Sequence, residues 1–260
     1  MFKTFARTAL LTSLATCALL ATAATPVATY QFNHSLAATE PGAPSLVAID
    51  PLGQNGFETA TVLGNTQTVY RWSGTASDTD LHAGLSLDAT GLTSYDNYSI
   101  EMVFEFSELA QAGGGWRRIV DTQNRVSDNG FYVDPDNFLQ VYPVVSGSTV
   151  FTTPGFHSVV LSNFVVNGQR EVKAYLDSSL QLTSDTDQLN LDNANNPGHL
   201  LHFFFDNFIV APNEFANGRI AYLRIYDGVL IPVPEPASLA LLAPGLALVA
   251  WAVRRRRPHA

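Results

Sequence analysis

Apolar residues recur at every second position through most of the chain, the period of a strand with one buried face and not the 3.6 of a helix. Tyr98, Ile100, Met102, Phe104 and Phe106 fall on one face, while Ser99, Glu101 and Glu105 fall on the other, interrupted only by Val103. Residues 171–176 alternate in the same way, and strand-like runs follow at 69–72, 118–120, 131–133, 138–142, 158–161, 200–205 and 220–226. Turn formers separate them: Asp128-Asn129-Gly130, Asp134-Pro135-Asp136-Asn137, Asn167-Gly168, Asn217-Gly218 and Asp227-Gly228. The one helical hint, 107–112, is stopped by Gly113-Gly114-Gly115. Many short strands and little helix predict an all-β fold, an antiparallel two-sheet sandwich of the jelly-roll kind. It would occupy a single domain over 29–231, with no convincing internal repeat.

Both ends depart from this pattern. Lys3 and Arg7 precede an apolar run at 9–20, too short to span a bilayer, and Ala21-Thr22-Ala23 offers a cleavage site. Residues 1–28 therefore read as a removed secretory signal peptide. Cys17, the single cysteine, lies in that run, so the exported chain would carry neither disulfides nor thiol chemistry. At the other end, 237–253 is a stretch of 17 residues without a charge. At about 1.5 Å per residue it makes a minimal transmembrane helix of about 25 Å, weakened by Pro244-Gly245. Arg254, Arg255, Arg256 and Arg257 follow it and would stay on the cytoplasmic side, leaving the domain outside.

Pro234-Glu235-Pro236 directly before that stretch is not something an anchor requires. Two prolines hold the approach extended and present one carboxylate above the membrane. The order of tripeptide, apolar span and terminal arginines, residues 233–257 of a tail running over 232–260, closely resembles the PEP-CTERM sorting signal of exported bacterial proteins. The resemblance implies an exosortase as partner, with Pro234, Glu235 and Pro236 as recognition residues. It further implies an inner-membrane intermediate held by the C-terminal helix, then a cell-surface or extracellular product in a Gram-negative host that often makes exopolysaccharide.

Charge narrows the function of 29–231. The chain has 14 Lys and Arg against 23 Asp and Glu; removing Lys3, Arg7 and the four terminal arginines leaves 8, removing Glu235 leaves 22, and the domain's net charge is −14. Such a surface repels nucleic acid and anionic headgroups but accepts cations or neutral polymers.

The stretches YSIEMVFEF, WRRIVDTQNRVSDNGFYVDPDNFLQVYP, FHSVVLSNFVVNGQREVKAYLDSSLQ and NGRIAYLRIYDGVL resemble successive strands of a laminin G-like, concanavalin A-like domain. Tyr175, Leu176 and Asp177 match its hairpin strand, and Gly218, Ile220, Arg224, Ile225 and Tyr226 its closing strand. Ser178 stands where the family's hairpin usually has glycine, and Phe156 replaces a common tryptophan before His157. That resemblance implies roles from carbohydrate or matrix binding to glycoside hydrolysis, so function must come from a site.

Glu101, Glu105 and Glu108 are the tempting carboxylates for hydrolysis, but Val103 stands where laminarinase-like enzymes on this fold carry an aspartate. The expectation is strand carboxylates facing solvent and no catalytic residues. No G-x-S-x-G elbow, H-E-x-x-H helix or Walker loop occurs. His34, His82 and His157 are scattered, and His199 and His202, three apart on a strand, would face opposite ways. Calcium needs several hard oxygens. The candidates are Asp134, Asp136 and Asn137, which also read as a plain turn; Asp185 and Asp187; and Asp206 and Asn207. Tyr70, Trp72, Trp116, Tyr132 and Tyr142 could stack on a sugar, with Trp116 the preferred exposed candidate. The expectation is a non-enzymatic carbohydrate- or matrix-binding surface protein. The alternatives are a glycan-active hydrolase on the same fold and a structural envelope or biofilm-matrix protein.

Overall fold

The computed structural model of the chain describes residues 24–108, 115–209 and 214–232. Two antiparallel sheets stack into a β-sandwich with almost no helix. In chain order the strands are β1 (Ala28–Tyr30), β2 (Val47–Ile49), β3 (Gly56–Val62), β4 (Asn65–Trp72), β5 (Gly84–Asp88), β6 (Tyr98–Phe106), β7 (Arg117–Asp121), β8 (Gly130–Val133), β9 (Phe138–Tyr142), β10 (Val145–Val150), β11 (His157–Val166), β12 (Gln169–Leu176), β13 (Ser179–Ser184), β14 (Leu200–Phe203) and β15 (Gly218–Asp227). A 3-10 turn at Thr79–Leu81 is the only helical element among the described residues. Sheet A runs β13-β12-β11-β6-β15-β4-β3, with β1 also paired to β15; sheet B runs β10-β9-β8-β7-β14-β5-β2. The chain passes between sheets after β1, β2, β4, β5, β6, β10, β13 and β14, so neighbours in a sheet are often distant in sequence.

The period-two reading places the core correctly. Tyr98, Ile100, Met102, Phe104 and Phe106 point between the sheets, where they meet Ile119, Phe131, Val133 and Val141 of sheet B and Leu161, Val172, Leu223 and Ile225 of sheet A. Trp72 is fully buried, stacked on Phe204 with ring centroids 4.0 Å apart and donating its indole N–H to the Ala216 carbonyl at 2.8 Å. Val103, the residue that broke the alternation, belongs to a smaller apolar cluster on the outer face of sheet A with Val62, Val69, Phe156 and Ala221. Its apolar side chain is explained by that second, local core.

The turn signals hold at Asn167-Gly168, where φ of 53° and 75° closes the β11–β12 hairpin. Asp177-Ser178 closes β12–β13 with φ of 49° and 66°, so a serine occupies the left-handed position. Strands β1, β2, β3, β5, β10 and β13 lie outside the predicted runs. Among the described residues no helix is long and apolar enough to cross a membrane. The expected span 237–253, its arginines and the tripeptide 234–236 lie outside the described residues, as do 1–23 of the expected signal peptide.

The two ends of the described chain meet. Strand β1 pairs with β15 through Ala28 and Ile225, and the Val27 N–H donates to the Ile225 carbonyl at 2.8 Å. Beyond β15 the chain folds onto the outer face of sheet A. There the Leu230 N–H donates to Ser99 Oγ at 2.8 Å and Ser162 Oγ donates to the Leu230 carbonyl at 2.7 Å. Ser99 and Ser162 face each other across β6 and β11, and both are fully buried.

Candidate functional site

Of the five aromatics singled out in the sequence, Tyr70 and Trp72 are core. Trp116, Tyr132 and Tyr142 come together on the outer face of sheet B. Alternation puts them there: Phe131, Val133 and Val141 point inward, so Tyr132 of β8 and Tyr142 of β9 point outward. Gly130, paired opposite Tyr142, leaves the face open; a Cβ there would meet the Val120 carbonyl at 3.0 Å, Arg118 Nη1 at 3.1 Å and the Tyr132 ring at 3.3 Å. Gly115, at φ 83°, turns the chain into Trp116. The Trp116 ring meets Tyr142 edge-on at 5.0 Å and Tyr132 at 5.5 Å. Trp116 and Tyr142 are half-buried, and Tyr132 is the fully buried anchor between them.

Tyr132 is held from below by a charged nest that sequence reading missed. Arg118 is fully buried, with its guanidinium 4.6 Å from the Tyr132 ring centroid. Its nitrogens reach Asp121 at 2.7 Å, Glu214 at 3.2 Å, Asp128 at 3.7 Å and Asp206 at 3.8 Å. The Tyr132 hydroxyl donates to the Asp128 carbonyl at 2.7 Å and lies 3.1 Å from Glu214 Oε2. More acids than bases share this dry space, and Arg125 is the second cation beside it, donating to the Asp206 carbonyl at 2.6 Å. Burial and the hydrogen bond from its carboxyl to Asp206 push Glu214 up to about 9, well above the ordinary carboxyl range. Burial also raises Asp206. Arg118 ties both stems of the 206–214 segment to β7. The legible signal was an arginine inside an apolar strand run.

Other candidates do not converge. One Asp134 carboxylate oxygen accepts from the Asp136 and Phe138 N–H groups at 3.0 and 2.8 Å, and the other accepts from Ser146 Oγ at 3.1 Å. Asp134 is thus the cap of the β8–β9 turn, with Asp136 exposed and Asn137 at φ 67°. Asp185 and Asp187 are exposed, and Asp206 and Asn207 belong to the Arg118 nest. Among the described residues no three His, Cys, Asp or Glu side chains gather to hold a metal. His199 stacks on Tyr95 at 3.7 Å, whereas His202 bonds Ser86 and Asn124. Glu101 and Glu105 share the outer face of sheet A, but four strand positions separate their backbones by about 13 Å, beyond the 5–9.5 Å of a glycosidase pair. Each has its own arginine. Glu105 bonds Arg219, while Glu101 accepts from Tyr226 Oη at 2.6 Å, Tyr222 Oη at 3.1 Å and Arg224 Nη1 at 3.2 Å.

That Glu101 cluster floors a groove of about 980 Å³ on the outer face of sheet A, walled by both ends of the described chain, Ala24 and Pro26 on one side and Val229 to Pro232 on the other.

A family model described as the PEP-CTERM protein-sorting motif matches residues 232–257. No curated protein matches the chain. Among solved structures, the binding domain of botulinum neurotoxin serotype C1 is similar at 14% identity and a TM-score of 0.52, over 85% of this chain and 52% of that one. A botulinum neurotoxin type C structure, described as depending on two ganglioside molecules for cell entry, is similar at 13% identity and a TM-score of 0.52, over 85% and 51%. The binding domain of botulinum neurotoxin DC, solved with rat synaptotagmin II, gives 14% identity, a TM-score of 0.50, and 79% and 48% coverage. This chain spans about half the length of those structures. At such identities the likeness shows the β-sandwich fold alone.

Proposed function

We propose that the chain is an exported, non-enzymatic glycan-binding β-sandwich, sorted and cleaved by an exosortase and released to the cell surface or medium. The matched motif at 232–257 supports the sorting half of this reading. The observation that carries the binding half is the half-exposed pair Trp116 and Tyr142, braced on a buried Tyr132 whose hydroxyl and ring are both fixed by the charged nest. Aromatic rings braced against one another lose less side-chain entropy when a pyranose stacks on them than free ones do. The acidic surface favours a neutral polymer over an anionic one. One structural neighbour of the same fold, a botulinum neurotoxin described as depending on two ganglioside molecules for cell entry, is compatible with this reading.

The test uses the full-length chain in detergent against a panel of neutral and acidic polysaccharides, in calcium and in chelator, with product analysis. Binding without cleavage is expected, and Trp116→Ala should weaken it about tenfold, equivalent to about 1.4 kcal/mol. Unchanged binding by both Trp116→Ala and Tyr142→Ala would remove the aromatic pair from the site. Loss in chelator would place a cation there, and cleavage products would favour a hydrolase. Silence across the panel would leave a structural role in the envelope or matrix.

A further inference from the structure

The described chain ends at Pro232, on the wall of the sheet A groove, and the sorting tripeptide begins at Pro234. Only Val233 lies between them. Two extended residues reach about 7 Å at most. An enzyme that grips Pro234-Glu235-Pro236 must therefore rest against the folded domain. The exit point is also fixed, because Leu230 is pinned through both its N–H and its carbonyl to the buried serines Ser99 and Ser162. On the opposite wall Ala24 and Pro26 lead into β1, which is itself paired to β15. The domain surface next to the tripeptide is thus one particular groove, on the sheet away from Trp116 and Tyr142.

We propose that this groove on the outer face of sheet A is the docking surface for the membrane enzyme that reads Pro234-Glu235-Pro236, so that folded domain and tripeptide are recognised together. The inference rests on the sorting reading given above. The groove's chemistry fits a protein loop of mixed polar and apolar character. Its floor is a balanced Glu101–Arg224 pair with Tyr226, its walls carry Gln31, Thr39 and Ser158, and Pro26, Val229 and Ile231, the last 54% exposed, supply an apolar lining. A basic enzyme face would complement a domain of net charge −14.

Conversion of the full-length chain to its processed form, followed by mass in a host carrying an exosortase, tests this. Gln31 and Thr39 are exposed, so Gln31→Arg with Thr39→Arg should leave the melting temperature unchanged. That double variant should be processed at least fivefold more slowly. A six-residue Gly-Ser insertion after Pro232 should slow processing similarly, because it uncouples the tripeptide from the groove. Wild-type rates for the arginine variant, or faster processing of the insertion, would overturn the proposal and make the domain a bystander or an obstruction. Glu235→Ala separates the two levels: if it is processed as fast as wild type, the sorting reading itself falls.

Discussion

The indole of Trp72 fills the space where a side chain on Gly218 would stand. A Cβ on Gly218 would come within 2.3 Å of the Trp72 ring and 2.4 Å of the Glu105 carbonyl. The ring cannot retreat, because Phe204 stacks on its face and Phe106 meets its edge at 6.1 Å. The first residue of β15 is therefore glycine for lack of room and not for backbone freedom. Gly218→Ala should destabilise the domain by about 3 kcal/mol through overpacking, read as a lower urea midpoint with an unchanged slope. A change below about 0.5 kcal/mol would mean that the Trp72 pocket is loose.

Glu214 gives the domain a slope of stability against pH. Its folded value is raised to about 9 from 4.5, so the folded state keeps a proton that the unfolded chain has released. The contribution is whole below about 4.5 and is lost progressively as pH rises towards 9. Glu214→Gln keeps an amide able to hydrogen-bond Arg118's neighbours but cannot titrate. The variant should gain stability relative to wild type as pH goes from 5 to 9, measured as urea midpoints at three pH values. Parallel curves would show that the proton is not held there.

His82 acts from the acid side. It is buried, neither ring nitrogen has a hydrogen-bond partner, and it stacks on Phe215 at 4.7 Å. Burial lowers it to about 4, so stability present above 6.5 is lost as pH falls towards 4. His202, also lowered to about 4 by burial, adds to the same loss. His82→Phe should raise stability at pH 7 by about 1 kcal/mol and flatten the acid limb, leaving the part due to His202. An unchanged acid limb would mean that His82 finds a partner in solution.

Ser178 sits at φ 66° in the β12–β13 turn, where a side chain is strained. Its neighbour Asp177 accepts the left-handed region because its carboxylate is bonded to the Ser158 N–H at 3.0 Å and to His157 Nδ1 at 2.7 Å. Ser178→Gly should stabilise by about 0.5 kcal/mol, after the larger unfolded-state entropy of glycine is offset. A lower melting temperature would show that the serine makes a compensating contact.

Sequence periodicity revealed strands such as β6, β9 and β12, where apolar residues alternate along the run. It missed β3 and β5, although Ala60 and Val62, and Leu85 and Leu87, alternate with more polar residues, and it missed strands left open on both faces. Strand β2 has no buried residue, and β10 is mostly polar and open at the sheet edge, so neither carries an alternating signal. Trp116 was readable as an aromatic after a glycine run, and the turn Asp134-Pro135-Asp136-Asn137 as a turn. The nest was not readable. Its members come from β7, β8, the loop after β7 and the 206–214 segment, and only the fold makes neighbours of Arg118 and Glu214 across 96 residues.

Strand β15 stands between β6 on one side and β4 and β1 on the other, yet it is the last strand made. Until residue 227 has emerged, sheet A lies in three unjoined pieces, β13-β12-β11-β6, β4-β3 and β1, and the apolar face of β6 has an open edge. A chain appearing from its N-terminus stays unfinished through nearly its whole length and closes only a few residues before the sorting tail arrives. Such non-local pairing folds slowly. Completion of the sandwich thus times itself to the end of the chain: a product truncated before β15 leaves the edge of β6 unpaired, while a full-length one closes over that edge as its tail comes into reach.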